Sequence, residues 1–187
     1  MAEVKILALA GSTRSDSYNK KLLIQAAEIA RTQGAKVIVI DLKDFPMPFY
    51  DADLEQAQGM PTNAKKLRDL MIQSDTILIA SPEYNGSISA VLKNALDWTS
   101  RGEKAGYSQE AFKGKQFALL SASPGGGGGA RGLAHLRSVI TSAGGDVISA
   151  EVSVPQAYKA FNAQGQLTSN ELKQRLSQQI EQLKLSH

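Results

Sequence analysis

Val4-Lys5-Ile6-Leu7-Ala8-Leu9-Ala10 is followed directly by Gly11-Ser12-Thr13-Arg14-Ser15-Asp16-Ser17-Tyr18-Asn19. From Ile6 to Ala10 the first run is apolar at consecutive positions, not at alternate ones. A strand apolar on both faces needs cover on both faces, which is the situation of a parallel sheet between two helical layers. Beyond the polar loop, Leu22, Leu23, Ala26, Ile29 and Ala30 recur at helical spacing up to Gly34, so the unit reads strand, loop, helix. The same unit returns along the chain. Residues 37–40, 76–80, 117–120 and 147–154 are predicted strands two to five. Between them, Pro61 is placed as a first helical residue ahead of Leu67, Leu70 and Met71. Ile88, Val91, Leu92, Ala95 and Leu96 mark a third helix, and Leu133, Leu136, Val139 and Ile140 a fourth. Thr168 and Glu171 stand in capping-box spacing before the stripe Leu172, Leu176, Ile180 and Leu183. Residues 42–60 read as a loop.

Five strands alternating with five helices specify an α/β fold with right-handed crossovers. No internal repeat, linker or composition shift divides the chain, so residues 1–187 are expected to form a single domain. In such sheets ligands bind beyond the carboxyl ends of the strands, where the winding direction reverses. The loops after strands one, three and four are therefore where function is sought.

Composition removes several chemistries. The 187 residues include no cysteine, which excludes a thiol nucleophile, an iron-sulfur cluster and a Cys-based zinc site. His135 and His187 are the only imidazoles, too few for an H-E-x-x-H zinc site and poorly placed for a Ser-His-Asp triad. No metal site is expected, and no side chain is singled out as catalytic: the chemistry calls for a borrowed cofactor. The net charge is +3 and the isoelectric point about 9.1, yet basic residues run no longer than pairs such as Lys20-Lys21. A solvated surface, not a nucleic-acid footprint, is the expectation. The opening apolar stretch is too short to span a bilayer and lacks the marks of a signal peptide, so no membrane insertion and a cytoplasmic location are expected.

Three loops carry candidate chemistry. Residues 11–19 bring hydroxyls, an amide and one arginine to a helix N-terminus, a receptor suited to a phosphate dianion. Helix capping by Ser17 or Asn19 alone also accounts for part of this loop. Neither G-x-x-x-x-G-K-[ST] nor G-x-G-x-x-G occurs there, which disfavours a nucleoside triphosphatase. Ser81-Pro82-Glu83-Tyr84-Asn85-Gly86-Ser87 follows strand three. A proline-stiffened loop with an Asn-Gly turn can present backbone polar groups edge-on to a flat heterocycle, or be a plain strand-to-helix turn. After strand four comes Ser123-Pro124 and the pentaglycine Gly125 to Gly129. Gly127, Gly129 and Gly132 satisfy G-x-G-x-x-G, with Glu151 near the offset of a ribose-binding acid. Five glycines satisfy almost any glycine pattern, and the match falls on the wrong strand. Close approach to a planar ligand, room for a second stacked ring and loop movement are the simpler account. Trp98 reads as core or interface, and His135 as a packed or surface histidine. Phe45, Phe49 and Tyr50 either edge a pocket or cover the sheet.

Taken together, Gly11-Ser12-Thr13-Arg14 with Ser17 and Asn19, residues 81–87 with Leu92-Lys93-Asn94-Ala95-Leu96-Asp97-Trp98, and the Ser123-Pro124-Gly125-Gly126 loop resemble the NADPH-dependent FMN reductase family, which includes chromate and quinone reductases. The resemblance runs from about residue 4 to residue 154 and implies a flavodoxin-like three-layer sandwich whose five-stranded parallel sheet has the order 2-1-3-4-5. It implies that Ser12, Arg14, Ser17 and Asn19 hold the FMN phosphate. It implies that Pro82, Glu83, Tyr84, Asn85 and Gly86 line the isoalloxazine, with Ser121, Ser123 and Gly125 closing that end. Ser89 departs from the proline expected after Gly-Ser-Ile in this family, a change expected to touch only the first helical turn.

The activity so implied is an NAD(P)H oxidoreductase. Hydride passes from NADPH, or NADH, through FMN to a small-molecule acceptor such as a quinone, free flavin, azo compound or chromate, by a ping-pong mechanism. A homodimer or homotetramer is implied as well. The competing expectation is a flavodoxin-like electron carrier that does not itself oxidise NADPH. Carriers of that kind are expected to be acidic, and a net charge of +3 favours the enzyme. A nucleotide-binding regulatory module built on the pentaglycine is a third.

Overall fold

In a computed structural model of the chain, which describes residues 3–183, the five predicted strands form one parallel sheet in the order β2-β1-β3-β4-β5. They are β1 Lys5–Ala10, β2 Lys36–Asp41, β3 Thr76–Ala80, β4 Gln116–Ala122 and β5 Asp146–Val154. His187 lies outside the described residues.

The both-faces rule holds residue by residue in the three central strands β1, β3 and β4, while Ile38 of the edge strand β2 is exposed. Ile6, Ala8 and Ala10 of β1, Leu78 and Ala80 of β3, and Ala118, Leu120 and Ala122 of β4 belong to one buried cluster. It is closed by α1 (Tyr18–Thr32), α6 (Ala157–Ala160) and α7 (Asn170–Glu181). The intervening Leu7, Leu9, Ile77, Ile79, Phe117 and Leu119 point to the other face. There they meet α3 (Thr62–Ile72), α4 (Ala90–Thr99) and α5 (Ala130–Ser142). The result is a three-layer sandwich.

Residues 42–60 are more ordered than a loop. A 3-10 turn spans Leu42–Asp44 and a helix, α2, spans Ala52–Gln58. Asp51 caps α2 by accepting from the N–H groups of Asp53 and Leu54. Its inward residue is Glu55, so no apolar stripe announces it. With the four-residue α6, the described residues hold seven α-helices where five were expected. Caps moved by one residue at two helices. Pro61 precedes α3, and α7 is capped by Ser169, whose hydroxyl accepts from Leu172 N, while Thr168 donates to the Ala160 carbonyl.

The β4–β5 ladder is irregular. Phe117 pairs with Val147 but Leu119 pairs with Glu151, so β5 carries extra residues at this point. Gln179 of α7, fully buried, fills the gap by donating its amide to the carbonyls of Leu119 and Ala150 at 2.8 and 3.0 Å.

Candidate functional site

Register places the three loops at one edge. Ala10 pairs with Ala80 and Ala80 with Leu120, so β1, β3 and β4 run out together at their carboxyl ends. The loops that follow are tied to one another by named contacts.

Loop 11–17 begins at a pinned glycine. Gly11 donates to the Ala80 carbonyl at 2.9 Å. A side chain there would press on Leu92 Cδ2 at 2.9 Å and on Pro82 Cδ at 3.3 Å, so only glycine lets the loop pass between α4 and loop two. Ser12 is buried and its hydroxyl accepts the Arg14 N–H at 3.3 Å, curling the chain. Ser17, also buried, caps α1 through Lys20 N. Arg14 is exposed and, among the described residues, pairs with no carboxylate; its one side-chain bond is a long 3.4 Å contact to the Asp16 carbonyl. Asn19 faces inward. Its Nδ2 donates to the Ala122 carbonyl and its Oδ1 accepts the Ala122 N–H, both at 2.9 Å, locking α1 to the end of β4.

Loop 81–88 is a tight turn. Tyr84 and Ser87 exchange two backbone bonds, with Asn85 at φ 52° and Gly86 at φ 77°, the left-handed pair that an Asn-Gly turn supplies. Tyr84 is half exposed. Glu83 reaches across to α5, where one carboxylate oxygen pairs with Arg131 and the other accepts the Gly132 N–H at 3.2 Å. A carboxylate on the first turn of a helix meets the positive end of its dipole. Ser87 bonds the exposed His135 at 3.1 Å, so His135 is a surface histidine that braces this turn.

The glycine loop divides in two. A side chain at Gly126 or Gly127 would meet nothing within 4 Å, and at Gly125 only Ser123 Oγ at 3.6 Å. That stretch borders open space. Gly128 and Gly129 are packed instead, at φ 62° and 87°, and a Cβ on Gly129 would overlap Ser121 Oγ at 1.9 Å. Ser121 is fully buried and donates to the Ser81 carbonyl at 2.7 Å. Ser123 accepts the Gly125 N–H at 3.2 Å. Glu151, the acid a dinucleotide fingerprint would use, is bound by Arg137 at 2.7 Å.

Sequence reasoning did not foresee what the segment after Leu92 does. Asn94 accepts the Tyr50 N–H and donates to the Pro48 carbonyl, and Trp98 Nε1 donates to the same carbonyl at 2.8 Å. Trp98 is therefore core, packed edge-on against Tyr50 with centroids 5.1 Å apart. Phe45 packs on the sheet cluster and Phe49 is exposed. Below Tyr50 lies buried Glu55, bound by Arg101 at 2.9 Å, by the Tyr50 hydroxyl and by Gly106 N–H. The Arg101 bond, opposed by burial, holds the Glu55 carboxyl below its usual value of 4.5. A carboxylate with a lowered folded pKa contributes stability above its unfolded pKa and loses it as pH falls through the folded one. Glu55→Gln is thus expected to cost about 2–3 kcal/mol at pH 7, less than a fully buried pair because Arg101 still reaches water. The gap to wild type should narrow as pH drops below 4.5. Urea unfolding of both proteins at neutral and acid pH measures it, and a pH-independent gap would refute the ion pair.

Arg14, in no ion pair among the described residues and beside buried hydroxyls and a fifteen-residue helix's N-terminus, suits an anion, and the open side of the glycine loop suits a flat ring. The chain matches NADPH-dependent FMN reductase over residues 4–159. It belongs to that family. It is 35% identical over 184 residues to the NAD(P)H-dependent FMN reductase of Pseudomonas aeruginosa, covering 98% of this chain and 95% of the other. It is 36% identical over 178 residues to the NAD(P)H:quinone oxidoreductase of Solanum tuberosum, covering 92% and 87%. Among solved structures, FerB, a flavoenzyme NAD(P)H:(acceptor) oxidoreductase from Paracoccus denitrificans, superposes with a TM-score of 0.78 at 28% identity, covering 95% of this chain and 96% of FerB. As a member of the FMN reductase family the chain is an oxidoreductase that uses FMN with NAD(P)H as electron donor. Among the described residues no helix is long and apolar enough to cross a membrane, and no group of three metal-ligating side chains gathers.

Proposed function

We propose that this FMN reductase, a single FMN-binding domain over residues 1–187, carries hydride equivalents from NAD(P)H to a small electron acceptor. Quinones, free flavin, azo compounds and chromate are the candidate acceptors. The observation that carries the reading is the convergence of three mutually tied loops at one sheet edge, one holding an arginine without a carboxylate partner and another bordered by side-chain-free space. When bound, FMN would supply two-electron, one-proton transfer between nicotinamide and acceptor.

This chain's residues bind and orient. Ser12, Arg14 and Ser17 take the FMN phosphate, and Asn19 supports them from behind by fixing α1 against Ala122. Pro82 to Gly86 and the Ser123–Gly125 turn present backbone groups to the isoalloxazine. Glu83 and Ser121 act one step removed, since their side chains are spent on α5 and on Ser81. With FMN held by these loops, donor and acceptor would share the one open side of the site, an arrangement that would give ping-pong kinetics. A cytoplasmic homodimer or homotetramer completes the proposal.

Anaerobic stopped-flow absorbance tests it. FMN-loaded protein mixed with NADPH should bleach, and a quinone added next should restore the colour. Bleaching by dithionite but not by NADPH would instead make the protein an electron carrier.

A further inference from the structure

We infer that Ser89 is a positioning residue for the FMN phosphate, acting through the Gly11–Ser12 peptide; the inference rests on the proposed FMN reading. The residue stands where the family resemblance implies a proline, a change expected to touch only the first turn of α4. The structure gives it a second role. Ser89 is 2% exposed. Its hydroxyl oxygen accepts the Leu92 N–H at 3.3 Å as the α4 cap, while its hydroxyl hydrogen goes to the Gly11 carbonyl at 2.6 Å. A proline can start the helix but can donate nothing.

The Gly11 carbonyl matters because of what it is bonded to. A trans peptide is planar, so the direction of the Gly11 C=O fixes the Ser12 N–H, which points the opposite way. The Gly11 N–H is already held by Ala80 at 2.9 Å. With the carbonyl held by Ser89, both polar groups of the residue that opens the loop are fixed, and the Ser12 N–H is directed away from α4. A hydrogen bond to a carbonyl also polarises the N–H of the same peptide, making it a stronger donor. Ser89 therefore aims and strengthens a backbone donor of the anion-binding loop. Its influence falls on the phosphate end of the ligand and not on the ring.

The discriminating measurement compares FMN with riboflavin, which lacks the phosphate, by fluorescence quenching on apoprotein. Wild type is expected to prefer FMN. Ser89→Ala and Ser89→Pro should weaken FMN by up to about tenfold, the order of one hydrogen bond from the Ser12 N–H less well aimed and weaker, while riboflavin affinity stays unchanged. Ser89→Thr keeps the hydroxyl and should restore the preference. The backbone at this position, φ −70° and ψ 149°, already suits proline, so Ser89→Pro keeps the test alive where Ser89→Ala folds poorly. Ser169→Ala, which removes the equivalent cap of α7, should lower the unfolding temperature without touching either affinity.

Equal weakening of both flavins, or an FMN preference that survives both substitutions, overturns the role assigned to Ser89. A wild-type protein with no preference for FMN over riboflavin overturns the phosphate reading itself, and the inference with it.

Discussion

Arg14→Ala protein is expected to fold normally and to lose most of its FMN. The side chain is exposed and, among the described residues, has no carboxylate partner, so its removal leaves no buried group stranded. Far-UV circular dichroism and the unfolding temperature of the apoprotein should match wild type. A charge-assisted bond to a phosphate is worth about 1.5–3 kcal/mol, which weakens FMN roughly 10- to 150-fold. Because the guanidinium lies in solvent, its contribution is screened. The dissociation constant of wild type should therefore climb with added salt more steeply than that of the variant. Fluorescence titration of both apoproteins at low and high ionic strength reads both effects. Equal FMN content and equal salt slopes would remove Arg14 from the site.

The second large effect is structural. Gly129→Ala introduces two separate costs at one position. The backbone at φ 87° is left-handed, and its Cβ would sit 1.9 Å from Ser121 Oγ. Ser121 cannot turn away easily, because it is fully buried and bonded to the Ser81 carbonyl at 2.7 Å. Left-handed strain of about 1–2 kcal/mol and overpacking of about 1–3 kcal/mol sum to roughly 2–5 kcal/mol. For a chain of this length that corresponds to a fall of about 4–20 °C in Tm. The double variant Gly129→Ala with Ser121→Gly lifts the clash but keeps the strain and leaves the Ser81 carbonyl without its donor, so it should still melt well below wild type. Differential scanning calorimetry decides the matter, and a single variant melting within a degree of wild type would sink it.

The strand assignments follow from local pattern. Residues 76–80 form a strand apolar on both faces, and the structure splits them cleanly, Ile77 and Ile79 to one cluster, Leu78 and Ala80 to the other. Parallel strands buried on both faces advertise themselves in this way whatever lies elsewhere. Helix α2 does not. Its inward residue is Glu55, whose partner Arg101 lies forty-six residues away, and no periodicity encodes that pairing. The candidate site divides likewise. The hydroxyls, the arginine and the glycines are visible as residue types next to strand ends. What their side chains do depends on distant partners: Glu83 on Gly132, Asn19 on Ala122, Ser121 on Ser81. Ser89 is the sharpest case, because its departure from proline is visible in sequence while its bond to Gly11 joins residues seventy-eight apart.

The amide of Gln179 gives the chain a timetable. Proteins leave the ribosome amino end first, so all three loops and every strand emerge well ahead of α7. Until Gln179 follows them, the carbonyls of Leu119 and Ala150 lack the donor that bridges the irregular β4–β5 junction. A chain without α7 can thus form every binding loop while the junction between β4 and the edge strand β5 keeps two carbonyls without a donor. Closure of this sheet therefore depends on a helix that contributes no strand, and a chain cut before α7 should expose these two carbonyls and aggregate where the intact chain stays dispersed.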